Sequence, residues 1–145
     1  MTIRPWLGPA AFVGVTIWLL TVADGKAVAV DPVERLMASS VCVLGDVSDG
    51  DFEASGFVVP PGSYVMTTAH GIAGATNLRV KLNDGRVFPA RLERVGTERA
   101  DIALLGVVGA RLEPATLGSV EGLRPGDAVR TVGCPSGFDF TLSQG

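Results

Sequence analysis

The chain has 145 residues, 47% of them hydrophobic and 19% charged, with a formal net charge of −3 at pH 7. Such a composition is that of a globular protein and excludes a disordered one. The acidic balance also speaks against nucleic acid as the main partner, which favours a strongly basic surface.

From Pro5 to Ala23 the sequence carries no charge, and Arg4 precedes it, so the chain opens with a positive n-region and an apolar h-region. Ala27-Val28-Ala29 supplies a small-x-small site, and cleavage after Ala29 follows the signal-peptide pattern. An uncleaved membrane anchor is the competing reading, although Pro5, Gly8, Pro9 and Gly14 make the first half a poor helix. Both readings export the remainder, which is periplasmic or secreted if cleaved and membrane-anchored if not. Cleavage after Ala29 leaves ten Lys/Arg against fourteen Asp/Glu.

Residues 30–39 form a linker, with Asp31-Pro32 and Val33 to Ala38 predicting a short helical turn or an extended lead-in. Val41 to Leu44 is predicted as a strand and Gly45 to Glu53 as an acidic loop. Phe57 to Val59 and Tyr64 to Thr68 are β-branched and aromatic runs, separated by the turn signal Pro60-Pro61-Gly62-Ser63. His70, the single histidine, therefore sits where a strand ends. Flanked by Ala69 and Gly71, its ring has little bulk beside it and can exchange protons near neutral pH.

Ile72 to Ala75 predicts a helical turn. Asn77 to Leu82 then alternates Leu78, Val80 and Leu82 with Arg79 and Lys81, the period of a half-buried strand. Asn83-Asp84-Gly85 is a hairpin signal, because Asp and Gly accept positive φ at low cost. Arg86 to Val95 continues as a strand in which Pro89 predicts an edge or a bulge. Thr97 to Ala100 turns the chain, and Ile102 to Val108 is a nearly continuous apolar strand. Asp101 is the charge that opens it, where a carboxylate is costly unless paired.

About six strands with tight turns predict an all-β fold, a small closed antiparallel barrel over residues 40–112. A second unit, residues 113–145, begins after Arg111 to Pro114. Strands are expected at Ala115 to Leu117, at Asp127 to Gly133 and from Phe138 to Leu142. Three strands cannot close a barrel, so this unit is expected to be incomplete, with exposed edges.

Cys42 and Cys134 are far apart in sequence. In an exported chain they can form a disulfide, and their apolar surroundings fit two buried thiols equally well. Their scatter, and that of His70, lacks the short ligand spacings of a zinc site, so neither metal nor cofactor is expected. Arg79, Lys81, Arg86, Arg91, Arg94 and Arg99 form a basic band interrupted by Asp84, Glu93 and Glu98, as expected of a solvated strand face.

The segments SGFVV, YVMTTAHGIAGA, LNDGR, ADIALLGV and LRPGD, in that order, resemble the trypsin-like serine proteases and, within them, the HtrA/Deg group of exported bacterial endopeptidases. The resemblance runs from about Ser40 to Gly145 and implies a double antiparallel β-barrel, the first complete and the second truncated. It implies that His70 of TTAHG is the general base and that Asp101 of ADIALL orients it, in the order His, Asp, Ser. It further implies polypeptide substrates and a homo-oligomeric assembly. The nucleophile of such enzymes lies in a Gly-x-Ser-Gly-Gly segment, and none occurs in these 145 residues. Ser136 follows Pro135 and matches a turn of the second barrel, and Ser143 lacks flanking glycines. The expectation is a chain that stops short of its own active site and is inert as it stands, or else a naturally short, non-catalytic relative that acts as a binding or regulatory module.

Overall fold

A computed structural model of the chain describes residues 31–135 and 138–145. The leader reading of residues 1–29 and Ser136 lie outside the described residues. Among the described residues, no helix is long and apolar enough to cross a membrane.

Asp31 starts α1 (Pro32–Ser39) by accepting the Val33 N–H on its carboxylate at 2.8 Å, with Pro32 preset for the first turn. The Ser39 and Ser40 hydroxyls bond back to the Arg35 and Leu36 carbonyls, and the chain leaves the helix as strand. The 30–39 segment is thus mostly helical.

Six strands follow: β1 (Ser40–Val47), β2 (Gly50–Val59), β3 (Tyr64–Thr68), β4 (Thr76–Leu82), β5 (Val87–Val95) and β6 (Ile102–Val107). They close as an antiparallel barrel in the order β1-β2-β3-β6-β5-β4. Closure sends alternate side chains inward, where Val41, Val43, Val58, Val65, Val80, Leu82, Ala103 and Leu105 make the core. The all-β expectation and the closed first barrel match this architecture; a second barrel is absent among the described residues.

Three expectations need correction. The predicted acidic loop 45–53 is strand apart from a turn at Ser48-Asp49, because Phe52 and Ala54 pack against the core while Asp51 stays exposed. Gly45 leaves room for the Phe52 ring, which a Cβ there would meet at 2.3 Å and displace. Pro89 is not at an edge: it lies opposite Arg79 in a closed barrel, and the irregularity of β5 falls between Leu92 and Arg94. Ala115 to Leu117 is not a strand; only the Ala115 N–H reaches the barrel, at the Val58 carbonyl (2.9 Å).

Past the barrel, β7 (Arg130–Gly133) and β8 (Thr141–Gln144) pair as a two-stranded sheet. Both are shorter than predicted. Phe138 instead closes a turn onto the Pro135 carbonyl at 2.8 Å.

Candidate active site

The pairing Thr68↔Ile102 between β3 and β6 sets the end of one strand beside the start of the other. His70, opening a short 3₁₀ turn (His70–Ile72), and Asp101, just before β6, therefore meet although 31 residues apart. Gly71 keeps that turn tight, because a Cβ there would lie 2.6 Å from Thr68 Oγ1.

Three bonds lock the pair. The Ala69 N–H donates to the Asp101 carbonyl (3.1 Å), the His70 N–H donates to Asp101 Oδ1 (2.9 Å), and His70 Nδ1 lies 2.5 Å from Asp101 Oδ2. Asp101 has φ +47°, a left-handed conformation that Asp tolerates better than most residues, and the Thr97 turn holds it there through its own N–H (3.2 Å). Its carboxyl is held below the ordinary carboxylate range, first by the His70 backbone N–H and then by the His70 ring. An ionised Oδ2 accepts only from Nδ1–H, so this arrangement selects the tautomer with a lone pair on Nε2.

The ring itself is open, with the His70 side chain 75% and that of Asp101 42% exposed. A groove of about 730 Å³ runs past Asp101 between Phe57, Met66, Thr68 and Ile102 on the barrel and Arg130 and Val132 of β7. What the arrangement can do is take a proton on Nε2 and hold the resulting imidazolium against a fixed carboxylate. Among the described residues no serine hydroxyl hydrogen-bonds His70; Ser143 sits in β8 opposite Thr131.

Cys42 and Cys134 are joined in a disulfide, with Cα atoms 5.6 Å apart. The Cys134 N–H also donates to Ser55 Oγ at 2.9 Å. Within the basic band, Arg79 pairs with Asp46 and Arg86 with Asp84, while Lys81 pairs with Asp139. The sequence carried no signal for the meeting of Ser55, Glu53 and Asp139 around the disulfide; the β1–β2 register places the first two beside Cys42, and Asp139 comes from the region after the barrel.

A profile of the trypsin-like peptidase domain matches residues 54–145. A probable periplasmic serine endoprotease, DegP-like, of Marinomonas sp. is 41% identical over 92 residues, which is 63% of this chain and 19% of that protein. A protein of the same description from Halomonas elongata is 40% identical over 91 residues, again 63% of this chain and 19% of the relative. The chain thus spans about a fifth of the length of these relatives. Among solved structures, the HtrA-type protease AlgW with tripeptide is similar with TM-score 0.68 and 29% identity, over 77% of this chain and 36% of that one. A Mycobacterium tuberculosis protease in its active form gives TM-score 0.68 and 29% identity over 78% and 49%.

Proposed function

Since the chain belongs to the trypsin-like peptidase family, on its HtrA/Deg side, we propose that it supplies the general base and the orienting carboxylate of an exported, periplasmic serine endopeptidase. The observation that carries this reading is the double hold of Asp101 on His70, through the backbone N–H and through Nδ1. In this reading the nucleophile is a serine outside these 145 residues that meets Nε2 of His70. Residues 113–145 are in this reading the first part of a second barrel, and residues 1–29 are an export signal.

The chemistry is acyl transfer. Nε2 of His70 takes the serine proton as the oxygen attacks a peptide carbonyl and returns it to the leaving amine, while Asp101 stabilises the imidazolium and keeps the ring turned. Fixing ring and tautomer in advance removes reorganisation from the reacting step. The likeness to DegP-like endoproteases supports a polypeptide substrate.

The test is fluorophosphonate labelling of the chain extended at its C-terminus by whatever its gene encodes there. One serine downstream of Gly145 becomes labelled, and His70→Ala, folded as judged by circular dichroism, loses the label. Labelling that survives His70→Ala contradicts the assignment. So does a gene that ends at Gly145 and yields a folded, unlabelled protein.

A further inference from the structure

On the outer face of the barrel, opposite the core, the register sets Cys42 beside Ser55 of β2 on one flank and Lys81 of β4 on the other. Glu53, two residues before Ser55, shares that face. Cys134 is bonded to Cys42 on this face, and Asp139 pairs with Lys81.

The result is a cluster of metal-ligating atoms unrelated to His70. One ligand atom each from Cys42, Glu53 and Cys134 lies within 4.8 Å of the others. Asp139 Oδ1 lies 3.7 Å from Cys42 Sγ, while its Oδ2 holds the Lys81 ammonium. Zn–S bonds of about 2.3 Å and Zn–O bonds of about 2.1 Å in a tetrahedron place neighbouring ligand atoms roughly 3.4 to 3.8 Å apart, so the two sulfurs, here bonded to each other, take up that spacing only once the disulfide opens. Both cysteines are buried, whereas Glu53 is half-buried and Asp139 exposed, so an ion has a way in from the carboxylate side.

We propose that the chain, with its Cys42–Cys134 disulfide reduced, binds one thiophilic divalent cation such as Zn²⁺ through Cys42, Cys134, Glu53 and Asp139. The two states exclude each other, because sulfurs bonded to one another cannot be thiolate ligands. Opening the disulfide takes two electrons and two protons. A phosphine reductant supplies the electrons and becomes its oxide with the oxygen of one water, whose hydrogens go to the two sulfurs. The metal then displaces both thiol protons. Oxidised, Cys134 is tied to the barrel by the S–S bond; reduced and loaded, Cys134 and Asp139 are tied by the metal. Residues far apart in sequence acquire the closeness that short ligand spacings normally provide.

The experiment is anaerobic titration of the phosphine-reduced chain with Co²⁺ in metal-free buffer, followed by Zn²⁺. We expect a thiolate-to-cobalt charge-transfer band and tetrahedral ligand-field bands that saturate at one equivalent, vanish on adding Zn²⁺ and are absent from the oxidised chain. Glu53→Gln and Asp139→Asn leave the disulfide intact and each weaken Zn²⁺ binding roughly tenfold or more, since even partners outside the ligand shell cost 10- to 100-fold. Absence of a thiolate band from the reduced, folded chain overturns the proposal. Equal Zn²⁺ affinity in the wild type and both carboxyl variants does so too, because it means bare thiols alone bind. Where reduction loosens residues 130–144, Zn²⁺ must restore their amide protection; failure to restore it also counts against the site.

Discussion

Residues 40–112 and residues 113–145 are both apolar enough to be strand, yet they end in opposite states. In the first, Leu105 and Val43 are fully buried; in the second, Val120 is 82% and Phe138 70% exposed. The difference lies in closure. Six strands that join edge to edge enclose an interior for their inward side chains, whereas β7 and β8 have one face each and nothing over it among the described residues. The second region is held by its attachments: the disulfide, the Cys134 N–H on Ser55, the Lys81–Asp139 ion pair, and the Leu112 N–H on the Gly62 carbonyl (2.7 Å) at its root.

Cutting the attachment has the largest expected effect. The disulfide spans a sequence separation of 92 residues, and on the chain-entropy model a loop of that size is worth roughly 4 to 5 kcal/mol. In metal-free buffer, the Cys42→Ser/Cys134→Ser double variant is expected to lower stability toward that range. Amide exchange is expected to quicken first in Arg130–Gly133 and to stay slow in β1, β3 and β6. Equal loss in both regions would mean that they unfold as one unit.

Next in size comes a pair of truncations. Leu105→Ala removes a fully buried side chain and is expected to cost about 2 to 5 kcal/mol in denaturant melts. Leu123→Ala, at a leucine 60% exposed, is expected to stay within about 0.5 kcal/mol. A large loss at Leu123 would show that the second region buries surface of its own.

A smaller effect tests the seam between the regions. Gly62 has φ +94°, and a Cβ there would lie 2.4 Å from the Leu112 carbonyl oxygen. Gly62→Ala is expected to cost roughly 1 to 3 kcal/mol through backbone strain and the displaced Leu112 bond, read in the same melts.

The smallest effect is that of acid. Asp101 is held below its ordinary value of 3.8, first by the His70 backbone N–H, and Asp139 likewise, first by its hydrogen bond with Lys81. A lowered folded-state value means that each contribution is complete above the ordinary value and fades as pH falls through the lower one. Carboxyl chemical shifts should report midpoints below 3.8 for both groups. Asp101→Asn should leave Asp139 unchanged, since the two belong to different regions.

The same division governs what could be anticipated from the residues. The alternation of Leu78, Val80 and Leu82 and the Asn83-Asp84-Gly85 turn are local signals, and β4, its turn and β5 follow them. Acidic residues hid the β1–β2 hairpin, because Asp46, Asp49 and Asp51 resemble a loop while Phe52 and Ala54 face the core. Ala115 to Leu117 has strand-forming residues but no partner strand, and composition is silent about partners. His70 and Asp101 could be matched from their motifs, whereas the gathering of Glu53 and Asp139 at the disulfide arises from the β1–β2 register and from the return of the later region onto the barrel, which no local spacing encodes.

The central claim is that His70, held by Asp101, is the base of a serine peptidase, and the most direct measurement is casein hydrolysis by the C-terminally extended chain. The account predicts turnover that is lost in His70→Ala and reduced by roughly 10⁴-fold in Asp101→Asn, the cost of presenting the wrong tautomer. Turnover unchanged in a folded His70→Ala variant would contradict it.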